Sequence, residues 1–200
     1  MTIHENTRIN VLSRNGFMKI AAMSMIEKLI IPDNTFVYFC DSSALGMSDY
    51  IKIKHTKKKR MIVIGDDKVW RVLHGVCSGA PYFIDIKMPC DELTCCMRQT
   101  LALMDSQGDP RTEHLWHLLN YKEQFVLMLF SLEMTISEAH ALTCWSIKDL
   151  SRYKRSAMVK LGVVNDWELF TKVQLILSDR RLLFRGNPRL AGLLRQYGLH

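Results

Sequence analysis

The sequence predicts an α/β domain built on a parallel sheet, followed by an all-α module of four short helices. Three observations carry this. Up to about residue 104, short β-branched or aromatic runs alternate with segments of helical apolar spacing, the pattern of a parallel sheet with helices on both faces. Next, DSQGDPRTEH (105–114) combines Gly, Pro and polar residues without periodicity, so it reads as a linker. After it, strand signals vanish.

The elements follow in order. RINVLS (8–13) is a short strand, and GFMKIAAMSMIEKLI (16–30) has helical spacing that Pro32 closes. TFVYFC (35–40) is a strand ending at Asp41, KIKHTKKKR (52–60) a basic turn or loop, and MIVIG (61–65) a third strand. DDKVWRVLHGVC is helical, APYFIDI (80–86) is a fourth strand, and CDELTCCMRQTLALM (90–104) is an amphipathic helix. Beyond the linker, helices are expected at 120–132, 135–143, 146–161 and 165–177, with Asn120, Thr135, Ser146 and Asn165 as N-caps. Glu123 and Glu138 sit three residues after the first two caps, the spacing of a capping box. In the tail, Asn187-Pro188 can start a last helix that Gly198 ends. The organisation expected is 1–104, a sheet domain; 105–114, a linker; 115–177, a helical module; and 178–200, a basic C-terminal tail.

Composition bounds the function. At 200 residues, 48% hydrophobic and 24% charged, the chain is globular and long enough for two small domains. No apolar run reaches the roughly 18 residues of a membrane span. MTIHENTRIN is polar and lacks a basic segment feeding an apolar core, so a cytoplasmic location is expected, without a membrane partner. The six cysteines form no CxxC pair, and no His sits at metal-finger spacing. They are expected to be reduced and mostly buried thiols. The net charge of +7 favours a polyanionic partner. The surplus is concentrated late in the chain, where 12 Lys/Arg face 7 Asp/Glu from Leu118 onward.

One stretch indicates the partner. In IKDLSRYKRSAMVKLGV (147–163), Lys148, Arg152 and Arg155 share one helix face, and Ile147, Leu150, Ala157, Met158 and Leu161 fall on the other. Such a cationic face is either solvated or set against a polyanion. Residues 135–143 and 146–161 are separated only by Cys144-Trp145, so they form a helix-turn-helix, whose second helix fits the major groove of double-stranded DNA. Ser146 and the free N–H groups of that helix start could hold a phosphate. Lys154 points toward the apolar side and would have to snorkel.

Residues 119–170 resemble the helix-turn-helix of LuxR/FixJ (NarL)-type transcriptional regulators. That family opens with Leu-Thr-x-Arg-Glu followed by Val-Leu; LNYKEQFVLML keeps Leu119, Glu123, Val126 and Leu127, with Asn120 and Lys122 for the Thr and Arg. The scanning-helix Ser becomes Thr135, Ser146 is kept, and Leu150 stands for the usual Val. The closing Lys160-Leu161-Gly162-Val163 is intact. The sequence departs from the family at Glu133, where a Gly is usual, at Ala139-His140, at Tyr153 and at Asp149, whose carboxylate would repel phosphate unless it reads a cytosine amine. The resemblance implies DNA contacts from Thr135, Ser146, Lys148, Asp149, Ser151, Arg152, Arg155 and Lys160. It also implies dimerisation through the last helix, with Val173, Ile176 and Leu177 as the seam.

The N-terminal part resembles a response-regulator receiver. VLSRNGFMKIAAMSMIEKL is similar to its first strand and helix, and APYFIDIKMPCDELTCCMRQTL to its last. A receiver holds Mg²⁺ with paired acids after strand one and uses an Asp acceptor, a Thr/Ser and a Lys. Here Ser13-Arg14, Ile64-Gly65 and Asp85 stand at three of those places, and Asp41 alone matches, as a vestigial phosphoacceptor. A lone carboxylate cannot hold the divalent ion of phosphoryl transfer. The stretch from strand one to Asp41 is about fifteen residues short of a full receiver's at normal connection lengths, so one strand–helix unit is expected to be missing.

No Gly-rich phosphate loop, nucleophile elbow or paired acids at useful spacing occur, so no enzyme activity, cofactor or metal is expected. Lys57–Arg60 belong to a solvated loop, a second phosphate contact or a pocket for an anionic nucleotide. The Met-rich helix at 18–25 is core, though Met also suits an adaptable protein interface. The expectation is a DNA-binding transcriptional regulator with a pseudo-receiver that works without phosphorylation. It would act as a homodimer or as a heterodimer with another LuxR-type regulator, similar to enterobacterial regulators of fimbriae or capsule. The rival is a co-regulator that pairs with such a protein and does not read DNA itself.

Overall fold

The computed structural model describes residues 8–56, 60–77, 81–106, 115–178, 192 and 195–197. The chain divides into two compact units, Met1–Glu113 and His114–His200. The expected linker lies outside the described residues, apart from 105–106, which extend a helix. Lys57–Lys59 and the proposed Asn187–Gly198 boundaries of a tail helix also lie outside them.

The first unit is a four-stranded, all-parallel sheet: β1 (Arg8–Leu12), β2 (Thr35–Cys40), β3 (Arg60–Gly65) and β4 (Tyr82–Asp85), in that spatial order. The register runs Val11↔Phe39, Phe39↔Ile64 and Ile64↔Ile84 across the sheet. The connecting helices are α1 (Gly16–Ile26), α2 (Met47–Lys54) and α3 (Asp67–Leu73), and α4 (Cys90–Ser106) follows β4. β2 and β3 are buried on both faces, which is why they read as unbroken apolar runs rather than alternating ones.

Each face has its own helices. Val37, Phe39, Ile62, Ile64 and Ile84 pack with Ala22 and Met25 of α1 and with Leu93, Met97 and Leu101 of α4. The opposite face carries Tyr38, whose hydroxyl bonds Thr56 just after α2 at 2.7 Å. A Cβ on Gly65 would lie 3.1 Å from Val69, closer than ordinary packing, so α3 sits directly on β3.

This arrangement has a consequence for handedness. Three connections step across the sheet in one direction, and right-handed crossovers, the rule in about 98% of cases, would put all three helices on one face. α1 lies on the other face, beside α4, so its connection has the opposite hand to the next two. A 2-1-3-4-5 doubly wound sheet stripped of its second strand and the following helix has this layout. The missing strand–helix unit expected from the short β1-to-Asp41 span therefore matches the topology.

Three expectations need correction. KIKHTKKKR is not wholly loop, because Lys52–Lys54 close α2 and Arg60 opens β3. The Met-rich helix is only partly core: Met25 is buried, but Met23 is exposed together with Phe17 and Ile20. The cysteines are all free, and although Cys40 and Cys77 are buried, Cys90, Cys95 and Cys144 are exposed. Burial pushes the Cys40 thiol pKa far up, so it stays a neutral core group.

The second unit opens with a 3₁₀ turn, Leu115–Leu118, followed by α5 (Tyr121–Ser131), α6 (Ile136–Thr143), α7 (Ile147–Leu161) and α8 (Asp166–Leu177). All four expected caps form, and Asn120/Glu123 and Thr135/Glu138 close full capping boxes. From the expected tail, Tyr197 packs against this unit: its ring lies 5.4 Å from Phe125. α7 ends on Gly162 at φ +66°, with Val163 N–H donating to Met158 C=O and Gly162 N–H to Val159 C=O, a Schellman closure.

Glu133, between α5 and α6, has φ +61°. An L side chain in this left-handed region costs roughly 1–2 kcal/mol, whereas Gly adopts it freely. Gly's greater freedom in the unfolded chain offsets part of the gain. Glu133→Gly is therefore expected to stabilise the protein by ~0.5–1 kcal/mol, read as a higher urea midpoint at unchanged slope.

Candidate nucleic-acid interface

The corner between α6 and α7 is built from side chains that tie it to the bundle. Cys144 takes φ +56° and caps α6 by donating to the His140 carbonyl. Thr143 Oγ donates to the Ala139 carbonyl and accepts from Trp145 N–H, and the Trp145 carbonyl meets His140 Nδ1 at 2.7 Å. The Trp145 ring packs 5.6 Å from Phe125 and 5.9 Å from Tyr153. One aromatic therefore sets the exit of α6 and the entry of α7 against the core of Phe125, Val126, Leu129, Ala139 and Leu150.

α7 buries Leu150, Ala157 and Leu161 as expected. Met158 is half-buried, while Ile147 is exposed at the helix start and does not join the apolar side. Lys148, Arg152 and Arg155 are exposed together. Arg155 Nε donates to the Ser151 carbonyl, whereas Arg152 reaches Asp149 at 2.8 Å in an ion pair that leaves its side chain 65% exposed. Ser146 caps the helix through Asp149 N–H. Lys154 snorkels as expected: it lies over the Phe130 ring, pairs with Asp166 at 2.7 Å and is not free for a ligand.

The remaining expected contact residues divide. Thr135 is exposed but held in its capping box by Glu138. The backbone and hydroxyl donors of Thr135 hold the Glu138 pKa down. Ser151 is half-buried on α7. Lys160 is committed elsewhere: its ammonium meets Glu123 at 2.7 Å, and Glu123 is only 2% exposed. The same carboxylate accepts Ser156 Oγ and Asn120 N–H. Burial alone would push the Glu123 pKa up, but the donors from Lys160, Ser156 and Asn120 outweigh it and hold it below the usual range.

Sequence reasoning missed Lys122 as a member of this surface. Its ammonium sits 5.7 Å from the Trp145 ring centre and 5.6 Å from that of Tyr153. A hydrogen bond with the Tyr153 hydroxyl raises the Lys122 pKa, and the same bond, with help from Arg152, lowers that of Tyr153. Lys122 is on α5, so periodicity along α7 could not reveal it; its position in the family-like opening motif was the available signal.

The expected dimer seam is corrected by burial. Val173 and Ile176 are core residues of their own unit, 0% and 4% exposed, and Leu177 is half-buried. The exposed apolar side chains around the start of α8 are Val164 and Trp167.

At the sheet's C-terminal edge, Asp41 is surrounded by hydroxyls. Ser13 Oγ donates to it at 2.9 Å and Ser43 donates from both backbone and hydroxyl, with the Ser43 hydroxyl chief in lowering its pKa. The neighbouring Asp66 accepts Ser42 Oγ. Among the described residues no cation contacts Asp41, and no group of three or more His, Cys, Asp or Glu could hold a metal ion. No described helix is long and apolar enough to cross a membrane.

No family model and no curated protein matches the chain. Solved structures do. A complex of the two-component response regulator RcsB with DNA aligns at TM-score 0.55 and 18% identity, over 86% of this chain and 100% of that one. A structure of two RcsB dimers bound to two parallel DNAs aligns at TM-score 0.54 and 19% identity, over the same shares. RcsB from Salmonella enterica serovar Typhimurium, bound to promoter P1flhDC with the phosphomimetic BeF3-, aligns at TM-score 0.54 and 20% identity, again over 86% and 100%. This likeness is one of fold: a parallel α/β sheet unit followed by a helix-turn-helix unit.

Glu123 gives a stability prediction. A group whose folded pKa is depressed contributes stability above its unfolded pKa and loses it as pH falls through the folded value. The chain should therefore lose denaturant resistance as pH drops below the ordinary glutamate range, and Glu123→Gln should flatten that loss. Glu123→Ala should cost about 2 kcal/mol at neutral pH, less than a fully buried pair because Lys160 reaches water. Urea titrations at several pH values check both.

Proposed function

We propose that this chain, which has the fold of a DNA-bound response regulator, is a transcriptional regulator that reads double-stranded DNA with α7. The observation that carries the reading is the exposed triad Lys148, Arg152 and Arg155 on a helix whose other side is anchored by Leu150, Ala157 and Leu161. At the helix start, the Ser146 hydroxyl is taken up by Asp149, accepting its N–H and donating to its carboxylate. Ser151 and Thr135 border this face, and Lys122 extends it. Lys160 contributes through Glu123, as an anchor rather than a contact.

In this reading the protein is not an enzyme and works in the cytoplasm, most simply as a dimer. Its organisation is a degenerate receiver-like domain, 1–104; a linker, 105–114; a LuxR-type helix-turn-helix domain, 115–177; and a basic tail. It acts without phosphorylation: Ser13-Arg14 stands where a receiver's acid pair would be, and among the described residues Asp41 contacts hydroxyls and no cation. Control of surface structures such as fimbriae rests on the family resemblance alone.

A second reading is favoured by one observation. α1 and the turn after it expose Phe17, Ile20 and Ile30, a surface better suited to a protein than to DNA. In that reading the chain is a co-regulator that pairs with another LuxR-type protein and leaves DNA to it.

Fluorescence anisotropy on labelled promoter duplexes from the host separates the two. Arg155→Ala is expected to weaken binding across all sequences and to reduce the slope of log K against log salt by roughly one. If the purified protein binds no duplex even at low salt, while host proteins co-purify with it, the co-regulator reading replaces the DNA reader. Asp41→Asn should leave DNA affinity unchanged, and treatment with acetyl phosphate should add no phosphoryl mass; a gain in affinity with such a mass shift would restore a working receiver.

A further inference from the structure

A carboxylate in the first turn of a DNA-facing helix needs a reason, because it repels the phosphate backbone. The structure supplies one for Asp149. Both of its oxygens are engaged: Oδ2 accepts Ser146 Oγ at 2.7 Å, and Oδ1 accepts Arg152 NH2 at 2.8 Å. Ser146 in turn caps Asp149 N–H at 3.1 Å, so the carboxylate is fixed to the helix start rather than swinging in solvent.

Arg152 is held from another side as well. Its guanidinium carbon lies 5.1 Å from the centre of the Tyr153 ring, with NH2 3.4 Å from the hydroxyl. Tyr153 leans on Trp145, which leans on the fully buried Phe125. An exposed arginine usually samples many rotamers. This one has its plane set by a carboxylate tied to the helix start and by a ring that rests on the core.

We propose that Asp149 and Arg152 form a single reading unit for guanine in the major groove, with Arg152 the contacting residue and Asp149 the positioning and selecting one. NH2 gives one hydrogen to Asp149 and turns the other toward the Tyr153 hydroxyl at a long 3.4 Å; a planar pair of acceptors that draws this second hydrogen off the hydroxyl meets it together with NH1 as a fork. Guanine O6 and N7 present that pair in the major groove. A phosphate presents a similar pair, but there the neighbouring Asp149 charge repels, whereas a base edge carries no net charge. The carboxylate thus biases the arginine away from backbone and toward base. Lys148 and Arg155, which make no ion pair among the described residues, supply the sequence-independent grip. This inference rests on the DNA-reading function proposed above and adds what that helix reads.

The test is selection from a randomised duplex pool with the full-length protein, followed by affinities for the selected duplex, for its copy with the key guanine changed to adenine, and for a scrambled duplex. Wild-type protein should enrich sequences sharing an invariant guanine and discriminate against the adenine copy by about tenfold or more. Asp149→Ala should bind the scrambled duplex more tightly and lose most of that discrimination. Asp149→Asn, which can still accept the Ser146 hydroxyl and so keep the helix start, should lose it too. Arg152→Lys should lose it because an ammonium lacks the fork. If the Asp149 variants tighten binding to every duplex equally and keep discrimination, Asp149 is only an electrostatic brake and the proposal is overturned; retained discrimination in Arg152→Lys also overturns it. Binding of no duplex by the wild-type protein would sink the DNA-reading function itself, a result distinct from binding that does not depend on Asp149.

Discussion

The helical unit depends on one buried carboxylate. Glu123 begins as an ordinary capping-box residue, returning a hydrogen bond to the Asn120 N–H at the start of α5. Its side chain then accepts Ser156 and Lys160, both from the second half of α7. An interaction that stabilises a local helix end thus also pins a remote helix. At the other end of α7, Trp145 packs against Phe125. With both ends fixed on α5, rotation of α7 about its own axis would break either the ion pair or the ring contact. The cationic face keeps its direction because of groups that are not on it. The exit from α7 is secured in the same way, by Lys172 donating to the Leu161 carbonyl and Glu168 accepting Val164 N–H.

The sheet unit has the layout of a doubly wound sheet without one strand–helix unit at its edge. Removing a strand and a helix from one edge of a doubly wound sheet leaves the first helix on its original face, since its contacts there with β2, β3 and α4 are core contacts. Relocating α1 to restore the usual crossover hand would forfeit that burial, so packing outweighs the handedness preference. At the strand ends, hydroxyls of Ser13 and Ser43 satisfy Asp41. Neutral donors lower the carboxyl pKa without offering charge compensation to a phosphoryl group.

Strong local signals made the layout legible from sequence. Strand runs, four N-caps and the Gly162 stop all emerge from residue type and spacing, and all formed within a residue or two of expectation. What escaped depended on tertiary context. α2 is eight residues long, with cations near its end, so MSDYIKIK carries too little periodicity; Tyr50 and Ile53 mark it only once the sheet face they fill is known. Lys160 and Lys122 exchanged expected roles because the first meets a buried acid 37 positions away and the second reaches an aromatic pair on other elements. Val173 and Ile176 looked like seam residues since an apolar stripe is the same in sequence whether it faces its own bundle or a second copy. Tyr197 and Cys144 show the same limit: the first joins the core from beyond the last described helix, and the second sits exposed at a left-handed corner where burial had been expected.

The charge distribution also bears on why such a module would act in company. Of the cations near α7, Lys154 and Lys160 are tied to Asp166 and Glu123, and Arg152 shares its charge with Asp149. Among the described residues, Lys148, Arg155 and Lys122 are the cations on or beside this face that make no ion pair. Three neutralised phosphates give a salt slope of only about −3, far below that of regulators with six to ten contacts, and a correspondingly weak sequence-independent grip. Under the proposed DNA reading, such a face would gain from a second DNA-binding unit, because the second contact would then be made at a high effective concentration. The exposed Phe17, Ile20 and Ile30 offer apolar surface on the sheet unit for such an association. The two proposed readings of function meet at one physical point: the fewer phosphates α7 would neutralise, the more a hold on DNA would gain from a partner on α1.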